Sequence, residues 1–322
     1  MTTHTETLAP ESTSRRTRSR RRLDTGILAA VLSAGAFATS GPFAKALLAT
    51  GWTSGAIVLL RVAGAALVLV VPAVLACRGR WAAVRSNLPS VLIFGVIAVA
   101  ACQVAYFNAV GHLSVGVALL LEYSGTILVV AWVWLRTGRT PARVTMLGAV
   151  LAIAGLGLVL DIAGQARPDA LGVVWGLLAA VGLATYFVVS SHGQDSLPPV
   201  TLAAFGMGIG AAVLALLGVL RVVPMGFGTT DVVVAGRSLP WWAALGELAI
   251  IAAAAAYLLG TYAVRSLGST VASFLGLSEV LFAIYFAWLL LGELPAPVQL
   301  VGGVLLVAGV VAVRLGESAR PV

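Results

Sequence analysis

Long apolar runs are the strongest signal in this sequence. One of them, SGAIVLLRVAGAALVLVVPAVLA at residues 54–76, contains a single charged residue. About 20 apolar residues in helical form cross the roughly 30 Å hydrocarbon core of a bilayer. Similar runs recur along all 322 residues, and charged residues make up only 10% of the chain, against about 25% in a soluble domain. None of the runs alternates like a lipid-facing strand, so helices must satisfy the backbone hydrogen bonds. The pattern predicts an all-α polytopic membrane protein.

Short connections with Gly, Pro or charge separate the runs. We predict ten transmembrane helices, at residues 25–47, 54–76, 88–109, 113–135, 144–161, 170–190, 199–221, 240–263, 269–291 and 297–315. Arginines concentrate before the first helix and in alternate connections, whereas the other connections contain only Arg167, Arg221 and Arg237. The positive-inside rule then predicts that both termini are cytoplasmic. We expect a multi-pass protein of a bacterial plasma (inner) membrane. Residues 1–24 should form an Arg-rich, disordered cytoplasmic tail, and residues 316–322 should form a short C-terminal tail in the cytoplasm.

An internal repeat relates the two halves of the chain. Shifting residues 109–157 by 154 positions, without a gap, aligns residues that a merely apolar composition would not match: Ser124 with Ser278, Trp134 with Trp288, Pro141 with Pro295, and Gly155 with Gly309. A weaker match joins AAVLSAGAF at 29–37 to AAVGLATYF at 179–187. We predict two five-helix repeats, residues 25–162 and 163–315. Because five is odd, the second repeat enters the membrane inverted, an architecture of secondary transporters.

Four segments resemble one known family. They are LLGELPAPVQLVGGVLLVAGVV at the last corner, SEVLFAIYFAW before it, LLLEYSGTILVVAWVWL in the first repeat and GAIVLLRVAGAAL with its lone arginine. Together they resemble an EamA-type member of the drug/metabolite transporter superfamily, over roughly residues 25–315. The resemblance implies two inverted halves, alternating access and export of small metabolites, without fixing the substrate. Thr126 stands where such proteins often have proline.

Charged side chains within the predicted helices are the first candidates for function, because each is costly in a bilayer unless it faces a cavity or a partner. They are Lys45, Arg61, Glu122, Glu247 and Glu279. Glu122 and Glu279 both lie near the middle of their helices, and the 154-residue shift places Glu279 opposite Gly125, three positions from Glu122. We expect the two carboxylates to face one central cavity. Since low dielectric disfavours the charged form, either could carry a proton; the alternative is a structural ion pair.

The remaining three charges have competing interpretations. Lys45 ends the first helix, where snorkelling to the interface is the simpler explanation. Arg61 lies roughly 10 Å inside the second helix and could bind an anionic group of the substrate, pair with Glu247 or pair with Glu122. We favour an ion pair that locks helices in one state, with Lys45 and Glu247 as candidate ion-pair partners. In the last corner, Glu293 occupies the position of Arg139 in the first repeat, and we expect a structural role for it.

Polar and aromatic neighbours complete the candidate site. The third helices of the two halves contribute Gln103, Tyr106 and Asn108, and Tyr257, Thr261 and Tyr262; Tyr123, Ser124 and Ser278 flank the two glutamates. Rings and hydroxyls of this kind suit a small zwitterion or amphiphile.

Other functional classes fit less well. The sequence has no G-x-S-x-G, H-E-x-x-H or Walker motif, and His4, His112 and His192 are scattered, so neither an enzyme nor a metal site is indicated and no cofactor is expected. We expect a small-molecule substrate and the lipid bilayer as partners, and no nucleic acid. The favoured function is secondary transport, as an exporter of amino acids or similar metabolites with proton antiport. A multidrug carrier for lipophilic cations and a gradient-independent exchanger remain alternatives, followed by a channel, a lipid scramblase or a membrane-embedded enzyme.

Overall fold

The computed structural model describes residues 11–137, 142–159, 169–191 and 197–318. The first half contains α1 (Glu11–Ala38), α2 (Ser40–Leu48), α3 (Ser54–Ala76), α4 (Trp81–Ser86), α5 (Leu88–Ile93), the π-helical segment π1 (Phe94–Ala101), α6 (Cys102–His112), α7 (Val115–Tyr123), α8 (Gly125–Thr137) and α9 (Arg143–Val159). The second half contains α10 (Ala170–Ser191), α11 (Pro199–Val219), strands β1 (Val232–Val234) and β2 (Arg237–Leu239), α12 (Trp241–Ala249), π2 (Ile250–Ala255), α13 (Ala256–Gly276), α14 (Ser278–Leu291) and α15 (Pro297–Ser318).

Helices dominate the described residues, as the apolar runs predict. Six stretches are long and apolar enough to cross a membrane: Asp24–Leu48, Ser54–Ala76, Leu88–His112, Ala170–Ser190, Pro199–Val219 and Trp241–Leu267. Shorter apolar helices occupy Val115–Leu128, Arg143–Leu158, Ser278–Leu291 and Pro297–Ala312. These shorter helices overlap the remaining four predicted spans.

The N-terminal tail differs from the sequence-based expectation. Helix α1 begins at Glu11, so the backbone of residues 11–24 is helical and not disordered. Arginine is a good helix former, and a helix already nucleated in the apolar segment extends at little cost. Residues 1–10, and 319–322 of the C-terminal tail, lie outside the described residues.

A small β-hairpin was also not expected. Strands β1 and β2 pair antiparallel in the connection between α11 and α12, with Val232 opposite Leu239. The turn residues Ala235 and Gly236 have φ of 52° and 71°, the left-handed pair that suits a two-residue hairpin turn. The Ala235 backbone N–H donates to Leu290 O at 2.8 Å, which fixes the hairpin to the end of α14.

The two halves pack against each other in a reciprocal way. Helix α3 packs on α11 and α9 on α15, while α1 packs on α13 and α10 on α6. Exchanging each helix with its counterpart in the other half reproduces the same set of pairs. At the α9–α15 contact, a Cβ added to Gly155 would lie 2.4 Å from Leu306 N, and one added to Gly309 would lie 2.4 Å from Ala152 N. Both pairs obey the 154-residue shift, and such self-complementary contacts are typical of a two-fold relation.

Helix interruptions fall near the interface between the halves. Thr39 separates α1 from α2. The π-helical segments π1 and π2 interrupt corresponding helices, because the 154-residue shift places residues 250–255 of π2 on 96–101 of π1. Such π segments are frequent at functional sites, since they alter the backbone hydrogen-bond pattern.

Candidate transport site

A central cavity lies between the two halves. Its volume is about 110 Å³. Helices α1, α6, α7, α10, α13 and α14 contribute to its wall, through residues that include Ser33, Phe37, Cys102, Gln103, Tyr106, Glu122, Tyr123, Tyr186, Phe187, Tyr257 and Glu279; Ser40 and Arg61 complete it. The wall is therefore mostly aromatic and apolar, with one guanidinium and two carboxyl groups.

Arg61 is held by neutral oxygens. Its side chain is buried, with 1% of the residue exposed. Nη1 donates to Ser40 Oγ at 2.8 Å and to Gln103 Oε1, and Nη2 donates to Ala252 O at 2.6 Å. The guanidinium also lies over the Phe107 ring, 5.2 Å from its centroid. Ala252 belongs to π2, so a carbonyl of the irregular helix binds the arginine.

The expected ion pair of Arg61 is not formed. Among the described residues, the ion pairs within 4.0 Å are Lys45 with Glu293 and His112 with Asp169. Neither Glu247 nor Glu122 contacts the guanidinium directly. The physical reason is that three convergent neutral acceptors already satisfy the guanidinium fork, which leaves Nε buried without a hydrogen-bond partner.

The contact between Gln103 and Tyr257 joins equivalent positions of the two halves. Gln103 Nε2 donates to Tyr257 OH at 3.1 Å, and the residues are 154 positions apart, which is the repeat spacing. The Phe37 and Tyr257 rings meet edge to face, with centroids 4.9 Å apart. Phe37 and Phe187, which the weaker sequence match aligns, both line the cavity. The cavity is thus centred on the interface between the halves.

Glu122 and Glu279 both line this cavity, each beside a group with a single hydrogen. Glu122 Oε1 lies 3.4 Å from Cys102 Sγ. Glu279 Oε2 lies 3.0 Å from the Tyr123 hydroxyl, which is also 3.0 Å from Gly276 O. Both carboxyl groups are available to a proton or to a cationic group of a ligand.

Some candidate residues bind their own helices instead. Asn108 Nδ2 donates to Val104 O at 2.8 Å, and Thr261 Oγ1 donates to Tyr257 O at 2.7 Å. Ser124 and Ser278 each donate at 2.6 Å to the carbonyl three residues earlier. Tyr262 is 43% exposed, and its hydroxyl lies 3.3 Å from Thr25 Oγ1. The structure places none of these five in the cavity wall.

Lys45 forms an ion pair on one side of the cavity. Its Nζ lies 2.5 Å from Glu293 Oε1 and donates to Leu113 O at 3.1 Å. Glu293 Oε2 accepts the Val115 backbone N–H at 3.3 Å. This cluster, the Lys45–Glu293 latch, joins the end of α2, the α6–α7 connection and the corner between α14 and α15. Lys45 therefore forms a specific ion pair, which snorkelling to the interface does not describe. The equivalent corner of the first repeat, which contains Arg139, lies outside the described residues.

The cavity extends away from this latch. Its wall continues along α1 toward Ala30 and along α13 toward Val264. At that side a Cβ on Gly26 would contact Leu267, which places the start of α1 beside the end of the apolar part of α13. The cavity therefore extends toward the side where α1 begins, and the Lys45–Glu293 latch lies on the other side.

Sequence reasoning missed several residues of the wall. Ser33, Ser40, Cys102 and Tyr186 are small or aromatic residues without charge, so the search for costly intramembrane groups passed over them. The signal that could have found Ser40 is TSGP at 39–42, which interrupts a helix. For Tyr186, the signal was the match of residues 179–187 to the cavity-lining stretch 29–37.

Comparison with known proteins identifies the family. The EamA-like transporter family model matches the chain twice, at residues 24–161 and 170–315. This chain belongs to the EamA-like transporter family. The two matches agree with the two repeats predicted from the 154-residue shift, and the family is a transporter family.

Individual relatives are more distant. An uncharacterized transporter of Archaeoglobus fulgidus is 26% identical over 70% of this chain and 74% of its own. A probable terminal-alkyne amino-acid exporter of Streptantibioticus cattleyicolor is 26% identical over 71% of this chain and 73% of its own. A solved crystal structure that is 18% identical covers 95% of this chain and 99% of its own with a TM-score of 0.55, which supports the fold alone.

Proposed function

We propose that this EamA-family protein is a secondary active transporter that exports amino acids or similarly small metabolites by alternating access. The observation that carries the proposal is the cavity between the two halves, which contains a buried guanidinium and two carboxyl groups. A midplane site at the interface of repeats is where secondary transporters bind their cargo. The probable amino-acid exporter among the relatives supports this cargo class.

The orientation completes the proposal. Ten helices in two inverted repeats, with both termini in the cytoplasm of a bacterial cell, agree with the distribution of arginines. In this orientation we propose that the cavity is reached from the cytoplasm and that the Lys45–Glu293 latch closes the outer side. An exporter in this state is ready to load cargo from inside the cell.

Chemistry at the cavity wall suits a zwitterion with an apolar side chain. An ammonium group can bind Glu122 or Glu279, and a carboxylate can approach the Arg61 charge, while Phe37, Tyr186 and other rings receive the apolar part. Proton antiport follows if a proton and the cargo ammonium compete for the same carboxylate.

Lipophilic cations are a second candidate cargo. Two carboxyl groups in an aromatic wall, neither of them paired with the arginine, also suit a delocalised cation. Exchange without protons is the alternative coupling mode, because the same site could alternate between two cargo molecules without titrating.

The test uses purified protein in liposomes. Efflux of a labelled amino-acid panel and of a labelled lipophilic cation is measured with and without a pH gradient, for the parent, Glu122→Gln and Glu279→Gln. Asp231→Asn, an exposed carboxylate beside the hairpin, is the matched control. We expect gradient-driven, saturable movement of an amino acid and loss of that drive in one glutamine variant only. Movement of the cation alone would select the second cargo, gradient-independent exchange would remove proton coupling, and non-saturable leakage would indicate a channel.

A further inference from the structure

Glu247 is a partly buried residue whose carboxyl group the cargo cavity does not include. It lies on α12, and its Oε1 is 2.5 Å from Thr39 Oγ1, at the break between α1 and α2. The other oxygen, Oε2, is buried without a hydrogen-bond partner. Neither Glu247 nor Thr39 lines the cavity. The carboxyl group therefore has one close contact, and that contact is a hydroxyl.

The hydrogen count at Thr39 determines which group donates. Thr39 Oγ1 is also 2.7 Å from the carbonyl oxygen of Ala36. A hydroxyl has one hydrogen, whereas a carbonyl oxygen and a carboxylate can only accept. Both short contacts are hydrogen bonds only if Thr39 donates to Ala36 O and Glu247 donates to Thr39. An ionised Glu247 would leave one of the two short oxygen pairs without a hydrogen between them.

The surrounding charges do not provide Glu247 with a direct counter-ion. Helix α12 packs against α3, α2 and π2. The titratable group on α3 is Arg61, which donates its hydrogen bonds to neutral oxygens. The titratable group on α2 is Lys45, which pairs with Glu293. Segment π2 contains no titratable group. A carboxylate with no cation in contact and one buried oxygen without a donor is unfavourable, whereas the neutral acid is tolerated.

We propose that Glu247 is a proton-binding residue at a site separate from the cargo cavity, and that its carboxylic acid donates to Thr39 in this structure. Thr39 acts as the positioning residue. When Glu247 releases its proton to water, the Thr39 hydroxyl turns from Ala36 O to the carboxylate, so that the bond at the end of α1 is exchanged for one to α12. Proton occupancy thus acts on the break between α1 and α2. The transport part of this inference rests on the proposed function.

Infrared spectroscopy tests the proton without any cargo. The protein, with ¹³C-labelled glutamate to assign the bands, is measured in lipid vesicles at neutral pH, and the C=O stretching region of carboxylic acids is compared between the parent and Glu247→Gln. We expect the variant to lose one glutamic-acid band, and Thr39→Val to shift that same band to higher frequency because its hydrogen bond is lost. Thr39→Ser should restore the parent frequency, and Glu293→Gln, whose partner is a lysine, should leave the region unchanged.

Two results would overturn the proposal: an unchanged acid region in Glu247→Gln, or a band insensitive to Thr39→Val. The Thr39 series keeps the test valid should Glu247→Gln fail to fold. Transport is measured separately in the vesicles described above, with the labelled amino-acid panel, and Glu247→Gln should retain exchange but lose accumulation driven by the pH gradient. If the parent moves no cargo while the bands behave as expected, the proposed function fails and the proton site stands.

Discussion

The α9–α15 contact predicts that Gly155→Ala and Gly309→Ala have equal effects. The two glycines occupy equivalent positions, and a Cβ at either would lie 2.4 Å from a backbone nitrogen of the opposite helix, Leu306 N or Ala152 N. Backbone cannot rotate out of the way like a side chain. Gly157, on the opposite face of α9 and with nothing within 4 Å of its Cβ position, is the matched control.

The magnitude follows from the distance. Ordinary contact with a Cβ begins at 3.4 Å, so the two helices must separate by about 1 Å along the seam. Overpacking of this kind costs about 1–3 kcal/mol, and the higher helix propensity of alanine returns about 0.5–1 kcal/mol. We expect each variant to lose about 1–2 kcal/mol of unfolding free energy, and Gly157→Ala to lose none. The double variant should cost less than the sum, because the first substitution has already separated the helices.

Equilibrium unfolding in mixed micelles, followed by tryptophan fluorescence, measures these free energies. A difference between Gly155→Ala and Gly309→Ala larger than the experimental error would contradict the two-fold relation. If both behaved like Gly157→Ala, the close approach of α9 to α15 would itself be wrong.

Two further predictions concern charges outside the cavity. Lys45→Met should raise the labelling of Cys102 by an impermeant maleimide that is added from outside, in a background without the other cysteine. The Lys45–Glu293 ion pair is partly exposed and worth about 1 kcal/mol or less, so we expect the labelling rate to increase less than tenfold. The control Lys45→Arg should show no increase. The backbone N–H of Leu171 and then the His112 side chain hold the pKa of Asp169 below its ordinary value. A lowered pKa stabilises the fold above the unfolded value of about 3.9 and this contribution is lost as the pH falls through the folded pKa, so the stability difference between the parent and Asp169→Asn should be present at pH 6 and vanish in an acid titration.

The repeat could be predicted from sequence because equivalent residues leave a constant spacing. Shifting by 154 positions pairs Gly155 with Gly309 and Gln103 with Tyr257. In the structure both glycines lie at the α9–α15 contact, and Gln103 contacts Tyr257 directly. A two-fold relation places equivalent residues close to each other where they lie near its axis. The spacing therefore carries three-dimensional information wherever a helix packs on its own counterpart.

Contacts between non-equivalent helices leave no such trace. Lys45 and Glu293 are far apart in the chain, and nothing in either local sequence identifies the other as its partner. For Arg61, a search for opposite charge gave the wrong partners, since a π-helical carbonyl and two neutral side chains hold the guanidinium. Irregular backbone is difficult to predict from apolar composition, because an alanine-rich segment such as 250–255 fits an α-helix and a π-helix equally well.

Charge balance relates the two candidate proton sites. One buried guanidinium, that of Arg61, shares the membrane interior with Glu122, Glu247 and Glu279, and a low-dielectric region favours near neutrality. Two of the three carboxyl groups then need a proton or the cationic group of a cargo. In the cavity, cargo and proton compete directly for Glu122 and Glu279, which by itself produces antiport. Glu247 is reached by a proton alone, so it can affect cargo only through the break at α1, and a residual pH dependence that survives glutamine at both cavity positions would come from that site.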